Sequence, residues 1–214
     1  MSTLLNEQRT FFREFRRNFR TTGAVLPSGR RLAGALTRFI TPYGTPKRIL
    51  EAGPGTGAVT RVILESLGPH DRLDLVEWNR AFVDRLEARF RSNPLFRAAS
   101  TRCSIYHDKV QDLPFDESYD VIVSGLPLNN FEPEDVDVIL GAYERLIKPG
   151  GIVSFFEYTA VRGAKALLSN SRERARLQNV SRLMRRWLTR HEITREIVFA
   201  NIPPAWVHHV RPFC

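Results

Sequence analysis

Between residues 48 and 57 the chain reads Arg48-Ile49-Leu50-Glu51-Ala52-Gly53-Pro54-Gly55-Thr56-Gly57. A short apolar run delivers three alternating glycines, and Thr60 to Leu67 then has helix-forming character. Glycine belongs where the backbone must turn tightly and approach a ligand without a Cβ in the way. A glycine turn that leaves a strand and opens a helix is where nucleotide-type ligands sit in doubly wound α/β sheets. The next strand supports the same frame. Asp71-Arg72-Leu73-Asp74-Leu75-Val76-Glu77-Trp78 alternates, turns apolar and ends in an acid, Glu77, twenty residues after Gly57. A carboxylate there accepts hydrogen bonds from vicinal ribose hydroxyls in nucleotide-binding βαβ units.

The remaining pattern continues the alternation of strand and helix. A helix is expected from Gly29 to about Thr41, and another from Asn79 to Arg91, where Asn93-Pro94 ends it. Thr101 to Tyr106 and Asp120 to Ser124 read as strands three and four. Glu132 to Leu146 reads as a helix with an acidic start, stopped by Lys148-Pro149-Gly150-Gly151. Ile152 to Tyr158 is the fifth strand, and Ile193–Ala200 with Ala205–Val210 forms a terminal pair across Asn201-Ile202-Pro203-Pro204. The expected fold is α/β, a Rossmann-like, seven-stranded, mostly parallel sheet covered by helices.

Length and cysteine usage narrow the class. The 214 residues, 43% of them hydrophobic, suffice for one good core. Cys103 and Cys214 offer neither a disulfide framework nor zinc spacing, so a reducing, cytoplasmic setting and no metal are expected. No apolar run approaches the roughly 20 residues of a membrane span. No apolar segment follows the N-terminal arginines as a secretory signal would require.

The net charge of +9 is concentrated in two places. Residues 1–20 hold five Arg against two Glu, and residues 162–190 hold eight Arg and one Lys against one Glu, which leaves the rest slightly acidic. Such segregation points to a polyanionic partner, nucleic acid or an anionic membrane surface. In the first segment Leu4, Leu5, Phe11, Phe12, Phe15 and Phe19 share a helical stripe beside Arg9, Arg13, Arg16, Arg17 and Arg20. That pattern fits an interfacial membrane helix, or an amphipathic helix packed on the domain. In the second, Leu177, Val180, Met184, Trp187 and Leu188 recur at helical spacing among Arg174, Arg182, Arg185, Arg186 and Arg190. A core-facing helix with a solvated basic side has the same pattern. Residues 1–22 are expected to form an amphipathic helix apart from one main domain at 23–214, and two such basic segments on one chain raise the membrane-surface reading.

Glu51-x-Gly53-x-Gly55-x-Gly57 closely resembles the S-adenosylmethionine (SAM) loop of class I methyltransferases. Three further stretches resemble one branch of that class, the bacterial phospholipid N-methyltransferases that act on phosphatidylethanolamine, distant relatives of the rRNA adenine dimethylases. These are Gly23-Ala24-Val25-Leu26-Pro27-Ser28, Ser124-Gly125-Leu126-Pro127 and Asn201-Ile202-Pro203-Pro204-Ala205. The resemblance implies SAM as cofactor, S-adenosylhomocysteine (SAH) as its product, and Glu51 with the loop amides on the methionine moiety. It extends the cofactor set to Gly53, Gly55, Thr56, Gly57, Glu77, Trp78, Asp108, Ser124, Gly125, Leu126 and Ser28. It also implies an aminophospholipid substrate and a protein held peripherally on the inner face of the cell membrane. His107-Asp108 stands where many relatives have Gly-Asp.

After the fourth strand, relatives that methylate planar amides and base nitrogens carry Asn/Asp-Pro-Pro-aromatic or Asn-Leu-Pro-aromatic. Here Ser124 replaces the Asn and Leu128 the aromatic, which suits a flexible aliphatic amine better than adenine and argues against nucleic acid. Ornithine-containing aminolipids and an rRNA adenine remain the alternative substrates. Methyl transfer to an ammonium requires that a proton leave first. His107, Glu157 and Tyr158, at the C-terminal ends of the third and fifth strands, are the candidate catalytic residues. Pro127 and Asn129 are candidate substrate contacts, and Tyr43, Lys47 and Arg211 candidate phosphate contacts.

Overall fold

A computed structural model describes residues 27–114, 116, 118–158, 171–199 and 204–213. The amphipathic pattern at 4–20, residues 23–26, 162–170 and Asn201-Ile202-Pro203 lie outside the described residues. Chain order is α1 (Pro27–Leu36), β1 (Arg48–Ala52), α2 (Ala58–Ser66), β2 (Arg72–Val76), α3 (Arg80–Ser92), α4 (Pro94–Ala99) and β3 (Cys103–Tyr106). Then come β4 (Tyr119–Ser124), α5 (Pro133–Leu146), β5 (Ile147–Tyr158), α6 (Ser171–His191), β6 (Glu192–Val198) and β7 (Ala205–Val210).

The seven strands form one sheet in the order β3-β2-β1-β4-β5-β7-β6. The first five run parallel, and β7 is antiparallel to both β5 and β6. Strands covered on both faces need apolar side chains at successive positions, and Ile49, Leu50, Ile122 and Val123 are all fully buried. One apolar cluster includes Leu50, Tyr143, Phe155 and Met184; another includes Ile49, Ile63, Leu73 and Phe96.

The structure amends the sequence reading in three places. Asn93-Pro94 does end α3, but a second helix, α4, starts at once. The Asn93 carboxamide oxygen accepts from the amides of Leu95 and Phe96, and Pro94 at the first helical position loses no intrahelical bond. The Lys148-Pro149-Gly150-Gly151 stop lies inside β5. Ile147 already pairs with Tyr119, and the register then shifts before Val121 meets Ile152, so the turn residues bulge from a continuing strand.

The third amendment concerns the basic segment at 162–190. In α6, Leu177, Val180, Met184 and Trp187 are all buried, while Arg172, Arg182, Arg185, Arg186 and Arg190 are exposed. Fully burying one such apolar side chain contributes about 1.5–3 kcal/mol, so this stripe is committed to the core and unavailable to a bilayer. The core-facing alternative is the one found. Among the described residues no helix is long and apolar enough to cross a membrane.

Candidate active site

The glycine loop joins β1 to α2 at the C-terminal edge of the sheet. Gly53, Gly55 and Gly57 have φ of 72°, 55° and 79°, the left-handed region that L side chains rarely adopt. Their surroundings differ. A Cβ on Gly53 would lie 2.5 Å from Leu126 Cδ2, and one on Gly125 2.6 Å from the Gly53 carbonyl, so the loops after β1 and β4 interlock with no room for a methyl. A Cβ on Gly55 would meet nothing within 4 Å, which leaves that backbone open to a ligand. Gly57 packs under Leu86 and Phe96 instead, and its carbonyl accepts from Arg89. As N-cap of α2 it carries no capping side chain, so no cap at Gly57 competes with an anionic ligand group at the helix start.

Glu77 follows β2 and is almost fully buried. One carboxylate oxygen accepts from the Gly55 amide at 3.1 Å, the other from the Asn79 amide at 2.8 Å. Burial raises its pKa, and the backbone donors oppose that rise. Each oxygen keeps a lone pair for a ribose hydroxyl. An open cleft, about 900 Å³ with its open solvent included, is lined by Gly53, Gly55, Glu77, Trp78, Asp108 and Leu126 among others. Trp78 is half exposed, with Lys109 Nζ 4.9 Å from its ring centroid. Thr56 is half-buried within the loop, and Ser28 opens α1 with its side chain outside the described residues.

Glu51 has no exposed surface and sits one layer behind the cleft wall. Neither of its oxygens, nor the Thr60 hydroxyl, makes a hydrogen bond of normal geometry. Burial drives its pKa up to about 8, while Thr60 lies close enough to favour the charged form and Glu77 adds to the rise. Burial favours the neutral acid, and a cationic ligand group at the loop would favour the carboxylate. This orphaned acid, the open Gly55 backbone and the uncapped helix start fit SAM, whose amino-acid end carries both charges.

A second, smaller depression adjoins the cleft across their shared wall at Pro127. Its lining includes Phe156 and four expected acceptor-side residues, Pro127, Asn129, Glu157 and Tyr158, which come together there. Leu128, at the position of the relatives' aromatic, is fully buried and forms part of the wall of the depression. Ser124 is equally buried; its Oγ accepts from the Tyr143 hydroxyl at 2.7 Å and from the Leu126 amide at 3.3 Å. It braces the turn and does not line the cleft.

Other candidates are separated by the topology. His107 is exposed at the end of β3, its Nε2 3.1 Å from the Trp78 carbonyl. Four strand spacings, roughly 19 Å, lie between β3 and β5, so His107 belongs to the cofactor side and not with Glu157 and Tyr158. Tyr43 and Lys47 precede β1, at the edge of the sheet opposite the cleft, where Lys47 Nζ donates to the carbonyls of Thr41 and Tyr43. Arg211 is at that same far edge because β7 runs backwards and brings Val210 beside Val153. None of the three reaches the depression.

Arg176, on α6, is a residue the sequence reading passed over. Its guanidinium donates to the carbonyls of Asn129 and Phe131 and is paired with Glu173 at 2.7 Å, which clamps the 128–131 turn. The i,i+3 spacing of Glu173 and Arg176 was its only sequence signal.

Comparison with known proteins agrees with this geometry. Residues 49–151 match the methyltransferase domain family. The chain is 30% identical over 138 residues to the highly reducing polyketide synthase azaB of Aspergillus niger, covering 60% of this chain but 5% of that protein. It is 25% identical over 141 residues to the ornithine lipid N-methyltransferase of Singulisphaera acidiphila, covering 66% and 72%. With ribosomal RNA small subunit methyltransferase A of Parasynechococcus marenigrum it shares 33% over 106 residues, covering 48% and 32%. Among solved structures it superposes on the Burkholderia thailandensis 1,6-didemethyltoxoflavin-N1-methyltransferase with bound S-adenosylhomocysteine (TM-score 0.65, 16% identity, 99% and 89% coverage). It also superposes on the O-methyltransferase TomG of Streptomyces achromogenes in complex with SAM (TM-score 0.61, 20% identity, 92% and 85% coverage). Residues 49–151 thus match a methyltransferase domain, on a fold shared with methyltransferases solved with SAM or S-adenosylhomocysteine bound, and the residues of the site fit SAM.

Proposed function

We propose that this protein methylates the primary amine of a membrane aminolipid, taking phosphatidylethanolamine to its mono-, di- and trimethylated products. One observation carries the reading: the depression beside the cofactor cleft is walled by a buried carboxylate, Glu157. A carboxylate there attracts an ammonium headgroup and can take its proton. It favours a cationic headgroup over a neutral base amine, to which it offers a hydrogen bond but no charge attraction, and repels a phosphate backbone. When bound, SAM supplies an electrophilic methyl on sulfonium: the N–C bond forms as the C–S bond breaks, and the electron pair stays on sulfur. The chain's own residues hold the acceptor in line. Asn129 and Pro127 wall the depression, Arg176 fixes their turn, and Tyr158 stands edge-to-face with Phe156, 5.1 Å between ring centroids.

The likeness to a protein named for ornithine lipid supports a second substrate, an ornithine-containing aminolipid. An anionic membrane surface is the proposed partner for either. The exposed arginines of α6 contribute about 1 kcal/mol each near such a leaflet, by charge alone, and the Phe and Arg stripes at 4–20 add burial and charge.

The full chain with labelled SAM, given phosphatidylethanolamine vesicles, ornithine-lipid vesicles or RNA, tests the proposal. Label in an amine headgroup, with RNA inert, is expected. Labelled N6-methyladenine without any lipid product overturns it.

A further inference from the structure

Behind Glu157 lies a row of titratable groups that crosses three strands. His208 is on β7, the antiparallel neighbour of β5, and is buried with 3% of its surface exposed. Its register partner is Phe155, and the two rings stack at 5.2 Å, so His208 shares a face of the sheet with Phe155 and Glu157. The imidazole Nε2 lies 3.6 Å from the Glu157 carboxylate and has no hydrogen-bond partner among the described residues. Nδ1 lies 2.5 Å from Oε1 of Glu192, the first residue of β6. The Glu192 side chain is 23% exposed and reaches solvent, whereas that of Glu157 is 6% exposed.

We infer that Glu157, His208 and Glu192 form a proton relay that carries the substrate ammonium's proton from the acceptor depression to solvent. This rests on the aminolipid reading. The N–H bond of the ammonium breaks and its proton goes to a Glu157 oxygen. That proton passes to His208 Nε2 when the 3.6 Å gap closes to hydrogen-bond distance, the Nδ1 proton passes to Glu192, and Glu192 releases it to water. The nitrogen keeps the freed electron pair for the incoming methyl. Each round ends with a methylated ammonium, so a further methylation needs the same relay again.

The other charged groups near His208 are engaged elsewhere. Arg195, its register partner on β6, lies with its guanidinium 5.0 Å from the Trp206 ring centroid. His191, at the end of α6, faces Glu144 at 3.8 Å. His209 points to the opposite face, toward Ser154 and Glu196. Proton removal by a positioned base contributes about 10²–10⁴-fold in rate.

The test uses the full chain on aminolipid vesicles from pH 6.5 to 10, with His208→Phe, which keeps a ring against Phe155, and Glu192→Gln, which keeps a polar partner. Wild-type kcat should exceed that of each variant by at least tenfold near pH 7, with SAH affinity unchanged. The deficit should close as the pH approaches the headgroup amine's own pKa, because free amine then needs no relay. A merely structural role would not be rescued by alkali. Should His208→Phe fail to fold, Glu192→Gln decides alone. Variants as active as wild type near pH 7, or a deficit that persists at high pH, overturn the relay and leave the aminolipid reading standing. Wild-type enzyme inactive on every aminolipid overturns both.

Discussion

Glu51 makes the two-sided prediction of a residue kept for binding at the expense of stability. It is wholly buried, with no hydrogen bond of normal geometry among the described residues, and burial lifts its pKa from 4.5 to about 8 against the opposing effect of Thr60. The folded protein therefore holds this proton more tightly than the unfolded chain does. Its contribution is most favourable below about pH 4.5, is lost as pH rises toward 8, and is flat above. At about 1.4 kcal/mol per pKa unit, the full effect approaches about 5 kcal/mol. Glu51→Gln removes the ionisation but leaves an amide to be satisfied, so about half of that, roughly 2–3 kcal/mol, should be regained at pH 8.5. For a chain of this size that is a rise in Tm of about 4–12 °C. The assay is a thermal melt of wild type and variant from pH 5.5 to 9, with and without SAH. Glu77, also raised, is present in both proteins, so the difference between the two curves reports Glu51 together with its coupling to Glu77. The variant should be flatter with pH, more stable in alkali and less stabilised by SAH. Parallel curves, or equal stabilisation by SAH, would refute the reasoning that Glu51 is an acid held neutral by burial and ionised in favour of a cation.

Three further outcomes follow from the site geometry. Glu77→Ala should weaken SAM binding by about 1–3 kcal/mol in calorimetry, since it loses the ribose acceptor and frees the Gly55 amide. Gly125→Ala drives a Cβ to 2.6 Å from the Gly53 carbonyl; it should cost about 1–3 kcal/mol in a denaturant melt and weaken SAM binding in the same sample. Arg176→Ala releases the 128–131 turn, so methyl transfer should fall while SAH affinity stays within twofold, about 0.4 kcal/mol; a matching loss of SAH affinity would mean the clamp serves the cofactor cleft.

Residues 48–78 announced the fold because the signals there are local. A strand's apolar run, a glycine's positive φ and a helix's period are set by neighbours a few residues apart, and they specify a βα unit without help from the rest of the chain. Glu77 was legible for the same reason, as it stands at a fixed remove along one βαβ unit. The α6 pattern was ambiguous because the same period serves a core and a bilayer, and only the packing of Leu177, Val180, Met184 and Trp187 decides between them.

What tertiary structure alone decided is which side chains share an end or a face of the sheet. Tyr43, Lys47 and Arg211 were plausible as phosphate contacts by residue type, yet strand direction puts all three at the wrong edge, Arg211 because β7 is inserted antiparallel. Ser124 was read as facing a ligand, but the pleat turns it inward to Tyr143. The same antiparallel insertion carries His208 between Glu157 and Glu192, partners that no spacing along the chain would bring to mind. Periodicity determines what each segment becomes. Strand order and pairing direction, which depend on contacts distant in sequence, determine which residues meet, and so the cofactor loop was legible in the chain while the acceptor site was legible only in part.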